Sequence, residues 1–202
     1  MIKKGYIDNY AGTSQRYSHI LLVSEAVCRG WDVCTADISN AFLQCVTYEK
    51  LAAATGEPIR EVNFELPPGS VGILKHVEGF MDCNPLKEVL HCDKPGTGLV
   101  DAPRCFSLKL AKVTKDTCGL MPCSVDLELC IKHSGNGNTR DLVLLMTKHV
   151  DDLNIAGVRA IVLKVLESAQ KEFGQLTIVW TNITNCGVSH MQYTASKEVV
   201  LD

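Results

Sequence analysis

No run of apolar residues in this 202-residue chain approaches the ~20 that a membrane-spanning helix needs, Leu142 to Met146 being among the longest. The opening MIKKGYID carries lysines with no apolar stretch behind them, so it does not read as a secretory signal, and an intracellular, cytoplasmic setting is expected. A basic excess is missing too: 20 Lys and Arg stand against 23 Asp and Glu, a net charge of −3. Proteins that grip nucleic acid replace phosphate counterions with Lys and Arg, so any such role here must rest on a local basic stripe. The chain has ten cysteines but no C-x-x-C and no zinc-type spacing with histidine. Without a secretory signal, oxidised pairing is not expected either, and most of the cysteines read as small buried hydrophobes.

What is present suits a globular core, with 46% hydrophobic and 21% charged residues. Helical periodicity is expected from about Arg16 to Cys28, with Ile20, Val23 and Val27 on one face and Gly30 as the terminating left-handed residue. Trp31 to Ile38 reads as a strand, Val33, Thr35 and Asp37 on one side and Cys34, Ala36 and Ile38 on the other. Glu61 to Leu66 alternates and stops at Pro67-Pro68-Gly69. A helix is expected over Pro103–Asp116, with the stripe Phe106, Leu110, Val113 and Asp101 as its cap. Asp126–His133 and Asp141–His149 read as paired strands around the turn Ser134–Asn138, and a tight reversal leads into Leu153–Ala156. Ile161 to Phe173 completes the pattern as a helix with Val162, Leu166, Ala169 and Phe173 in line. The expected fold is α+β, an antiparallel sheet with helices on one face.

The chemistry concentrates in aspartates. Asp151 and Asp152 stand together at an apolar hairpin tip, where two carboxylates repel unless solvated or joined by a cation. Mg²⁺ takes oxygen ligands and commonly uses one or two carboxylates, so the tip reads either as an acidic surface turn or as a metal site. Adjacent side chains on a strand diverge, which makes one of the pair the principal ligand. Asp37 ends an otherwise apolar strand and reads as a helix cap or as a further ligand. Phe42 reads as a core aromatic at a strand–helix junction. Lys109, Lys112 and Lys115 form the one candidate basic stripe, otherwise a solvated face.

Five short landmarks add context. Trp31–Gln44 (WDVCTADISNAFLQ), Val62–Gly69 (VNFELPPG), Gly98–Arg104 (GLVDAPR), Ser124-Val-Asp126 and His149–Asp152 (HVDD) occur in that order. Together they resemble the reverse transcriptase domain of copia-type LTR retrotransposon Pol polyproteins, whose pattern they follow in sequence order with compatible spacing. The resemblance implies a polymerase palm over residues 31–180 with a fingers insertion around 46–100. Residues 1–30 would be a remnant of the fingers with the first helix, and 181–202 the start of the segment leading to a largely absent thumb. It implies RNA-directed DNA polymerisation with two Mg²⁺ ions, or Mn²⁺, held by Asp37, Asp151 and the Ile38 carbonyl with Asp152 assisting. Phe42 would be the steric gate against a ribose 2′-hydroxyl, and Gly98 would lie near the nascent base pair. Pro103, Arg104, His149, Lys109 and Lys112 would touch an RNA or DNA template and its primer, with deoxynucleoside triphosphates as substrates.

The chain departs from the family at His149 (usually tyrosine), Thr97 (commonly aromatic), Cys45 (usually glycine) and Phe106 (tryptophan). Lys3–Tyr6 resembles only the tail of the fingers segment. The expectation is a fragment of a polyprotein whose ribonuclease H and integrase segments would be present in an intact element, and which would then function in a retrotransposon particle. The alternative is an inactive remnant that at most binds nucleic acid weakly.

Overall fold

The computed structural model describes residues 11–84, 86–135, 137–185, 188–193 and 198–201. Lys3–Tyr6 and Cys186 therefore lie outside the described residues. Five helices and eleven strands alternate along them. The first helix, α1, spans Arg16–Arg29 and ends on Gly30 at φ 63°, a left-handed residue only glycine adopts without cost. Strand β1 (Asp32–Ile38) leads into a 3₁₀ turn over Ala41–Gln44 and then α2 (Tyr48–Thr55), capped by the Thr47 side chain. The segment that follows is sparse in structure: β2 (Asn63–Phe64), α3 (Ser70–Leu74) and β3 (Leu90–His91), with β2 and β3 paired. The strand expected over Glu61–Leu66 shrinks to two residues, because only β3 is present to bond with it.

Helix α4 (Ala102–Lys112) continues as a π-helical turn over Val113–Thr117. It is followed by β4 (Met121–Pro122), β5 (Leu129–Ser134), β6 (Asp141–His149), β7 (Asp152–Gly157), α5 (Arg159–Phe173) and β8 (Leu176–Trp180). These strands and β1 make a six-stranded sheet in the order β4-β5-β6-β7-β1-β8, each neighbour antiparallel. A second sheet is built from β9 (Asn182–Asn185), β10 (Val188–Tyr193) and β11 (Glu198–Leu201).

Both faces of the main sheet are covered, which corrects the expectation of helices on one face. The strands carry apolar side chains on both sides, and each side needs shielding from water. On the first, Cys34, Ala36, Ile38, Leu144, Met146, Leu153 and Ile155 pack under α4 and α5, contributing Phe106, Leu110, Val162, Leu166, Ala169 and Phe173. Burying each large side chain there is worth about 1.5–3 kcal/mol. On the second, Val33, Leu145 and Ala156 lie under Leu22 and Ala26 of α1, joined by Trp31 and Ile183. Gln192 sutures the second sheet to this face, donating to the Trp31 carbonyl at 2.7 Å and accepting from the Val33 N–H at 3.1 Å.

Helix α1 also turns a different side inward than its apolar spacing suggests. Ser18, His19, Leu22 and Ala26 are buried, while Ile20 and Val27 are exposed. Polar anchors decide this. The Ser18 hydroxyl donates to Asp126 at 2.5 Å, and His19 bonds Ser14 at 2.8 Å and Thr147 at 3.0 Å. Buried polar groups must be paired, so these contacts fix the helix rotation against the pull of Ile20 and Val27. Cys34, Cys45, Cys105, Cys118 and Cys130 are buried free thiols, as their hydrophobic reading anticipates, whereas Cys83, Cys92 and Cys123 are partly covered and Cys28 is exposed. Among the described residues no helix is long and apolar enough to cross a membrane.

Candidate active site

Strand register assembles the acidic residues. Antiparallel pairing of β1 with β7 sets Asp37 opposite Asp152, and pairing of β7 with β6 sets His149 opposite the same Asp152. Directly paired residues project to one face, so Asp37, Asp152 and His149 form a row across three strands, on the α1 side. Asp151 occupies the two-residue β6–β7 loop, and its carbonyl accepts the Ile38 N–H at 3.2 Å. The Ile38 side chain is buried in the core, so whatever Ile38 offers a ligand comes from its backbone. The first loop residue, Val150, sits at φ 56°. Two-residue hairpins demand positive φ there and normally place glycine in it; a β-branched side chain makes this a strained turn.

The row is electrostatically frustrated. The Asp152 carboxyl is held above the ordinary carboxylate range by partial desolvation first, then by the charges of Asp151 and Asp37, with His149 opposing. None of the three aspartates forms a salt bridge among the described residues. Nor does any group of three or more His, Cys, Asp or Glu side chains among those residues converge as a ready metal cage. A magnesium ion does not require one: it keeps several waters and takes one or two carboxylates plus substrate phosphate oxygens. The facing Asp37–Asp152 pair, in no salt bridge among the described residues, fits that mode.

A buried polar network lies behind the row, and sequence reasoning missed it. Thr13 bridges to His149, and the Ser14 N–H donates to the Lys148 carbonyl at 2.9 Å. Asp126 accepts from Ser18 and from the Gln15 and Glu128 N–H groups, at 2.9 and 3.0 Å for the latter two. Burial pushes the Asp126 carboxyl up, but these donors and His19 outweigh it and leave it below its ordinary value. His19 is pushed down, by burial first and then by the neighbouring His149. The available signal was a serine and a histidine at helix positions 18 and 19 beside an apolar stripe that did not need them.

The remaining candidates fall elsewhere. Phe42 lies in the 3₁₀ turn after β1, half-buried against the α4–α5 core. Gln44 pins that turn by donating to the Ser39 and Phe173 carbonyls at 3.0 and 2.9 Å. Gly98 is exposed at φ 93° with no atom close to where a Cβ would stand, so glycine serves the backbone conformation there. Pro103 occupies the first turn of α4, a position that costs no hydrogen bond. Asp101 stands at the N-cap of α4 but does not cap it; its carboxylate pairs with Arg60 instead. Arg104 is held by both oxygens of Glu57, at 2.9 and 3.2 Å. These two pairs strap the segment after α2 onto the start of α4.

The lysine stripe is broken. Lys109 places its ammonium 4.9 Å from the centre of the Phe173 ring, and burial lowers its pKa, whereas Lys112 remains exposed. Pro103, Arg104, Lys109 and Lys112 all belong to α4, which packs the face opposite the aspartate row.

Fold and site define a mixed α+β domain with a carboxylate–histidine row at one end of an antiparallel sheet. No protein-family model, no curated protein and no solved structure matches the chain significantly.

Proposed function

We propose that this domain is the palm-like core of an RNA-directed DNA polymerase of the copia-type retrotransposon kind, adding deoxynucleotides to a primer 3′-hydroxyl. The observation that carries the reading is the β1–β7 register, which faces Asp37 with Asp152 and sets Asp151 in the adjoining loop. Two Mg²⁺ ions bound there would acidify the primer hydroxyl and neutralise the triphosphate and leaving pyrophosphate. Asp37, Asp151 and the Ile38 carbonyl are the ligands proposed, with Asp152 assisting; the bond from Ile38 N–H to the Asp151 carbonyl keeps the two chain segments in register. His149 stands on the same row as Asp152, where it can meet the primer end. Phe42 would crowd a ribose 2′-hydroxyl from the turn pinned by Gln44.

Primer extension on an RNA template with Mg²⁺ tests this directly. Template-dependent products should appear and be lost in Asp151→Asn; products that survive that substitution sink the catalytic assignment. A second reading, an inactive palm, is favoured by His149 standing beside Asp152 in the row, where the resembled family usually carries tyrosine. It predicts nucleic-acid binding without extension, unaffected by Asp151→Asn.

A further inference from the structure

A cleft of about 450 Å³ lies away from the aspartate row, between the outer stripe of α4 and the edge of the main sheet. Arg104, Leu108, Ala111 and Lys115 line one wall at positions i, i+4, i+7 and i+11, a single face of the helix and the π turn that continues it. Leu127 and Lys148 stand on the other wall. The cleft is about 16 Å long along the helix at 1.5 Å per residue. Two large apolar side chains of its lining remain exposed, Leu108 and Leu127, 39% and 65% open to solvent. A concave, mostly apolar cavity of this size with a few polar groups is the usual form of a small-molecule site.

The charges of the walls say what its occupant carries. Glu57 holds Arg104 at one end through two contacts, at 2.9 and 3.2 Å. Lys148 is buried and compensated by Glu128 at 2.8 Å. Lys115, at the opposite end from Arg104, is exposed and has no ion pair among the described residues. An apolar body along Leu108, Ala111 and Leu127 would thus meet one uncompensated positive charge at its end.

We infer that this cleft binds a small amphipathic anion, an aromatic or aliphatic carboxylate or sulfonate, with its acid at Lys115 and its apolar body between Leu108 and Leu127. The inference rests on the cavity and its charges and is independent of the polymerase reading.

Fluorescence titration of the full chain with 8-anilinonaphthalene-1-sulfonate tests it, alongside the uncharged N-phenyl-1-naphthylamine. Saturable binding at one site is expected. Lys115→Ala should weaken the sulfonate about threefold, as for a solvent-exposed ion pair, and leave the neutral amine unchanged. Ala111→Trp should fill the cleft and abolish binding of both. Leu108→Glu, at a rim position that a folded chain tolerates, should do the same for the sulfonate. The inference is overturned by non-saturating binding, by binding unaffected by Leu108→Glu or by Ala111→Trp in a folded chain, or by a signal that tracks self-association of the protein.

Discussion

Replacing Asp152 with asparagine removes the charge at the centre of the row while keeping the side chain's shape. Its neighbours across the pair stand about 5 Å away, the usual spacing of directly opposed strand residues. Two unit charges at that distance repel by about 0.8 kcal/mol in water-like dielectric, and Asp151 adds a comparable share. Asp152 is exposed, so screening keeps the total at the low end, and without divalent ions Asp152→Asn should stabilise the fold by about 1 kcal/mol. The gain depends on pH in a defined sense. Asp152 binds its proton more tightly in the folded chain than in the unfolded one, so ionising it costs stability. The cost is absent at low pH, grows as pH rises through the ordinary carboxylate range to the raised value, and is complete above it. A divalent ion narrows this gap: at ten times its Kd it stabilises the wild-type protein by about 1.4 kcal/mol, and the variant by less. Urea unfolding at pH 7 with and without Mg²⁺ or Mn²⁺ measures both effects. A variant less stable than wild type in chelator, or an equal response of both proteins to the ion, refutes the reasoning.

Val150→Gly should raise stability by about 1 kcal/mol, because relief of the strained left-handed turn exceeds glycine's added unfolded-state entropy; loss of stability in denaturant melts would show that the turn stores no strain. Asp126→Ala strips the Ser18, Gln15 and Glu128 donors of their acceptor and should cost about 3 kcal/mol at neutral pH. The Asp126 contribution is present above the ordinary carboxylate pKa and lost as pH falls through its lowered value, so the variant's acid limb should be shallower than wild type's below pH ~4. Phe42→Val should cost about 1–2 kcal/mol of packing and relax discrimination against ribonucleotides by about tenfold in single-nucleotide incorporation, whereas a purely structural Phe42 would show only the first effect.

Much of the frame was legible because its signals are local. The stripe Val162, Leu166, Ala169, Phe173 is buried as its spacing requires, and Phe106, Leu110 and Val113 likewise. Strand β6 runs over Asp141–His149 as expected, since its apolar run is bounded by a Gly/Asn turn and by the two-residue reversal. The orientation of α1 was not legible, because Ser18 and His19 are placed by partners more than a hundred positions away, Asp126 and Thr147. For the same reason the Asp37–Asp152 register could not be read: pairing between distant strands depends on the assembled sheet. The turn of Lys109 out of the lysine stripe was not legible, because helical spacing shows which residues share a face but not that α5 would bring Phe173 under Lys109. Glu57 and Arg60, which hold Arg104 and Asp101, lie in a stretch with no periodicity to announce them.

The most direct test of the central claim is primer extension by the full chain on an RNA template, with deoxynucleotides and Mg²⁺ or Mn²⁺, beside Asp37→Asn. The account predicts template-dependent extension that falls at least about a hundredfold in the variant, as expected when a group stabilising developing charge is removed. Extension that persists in Asp37→Asn, or none by the wild-type chain with either ion, would contradict it.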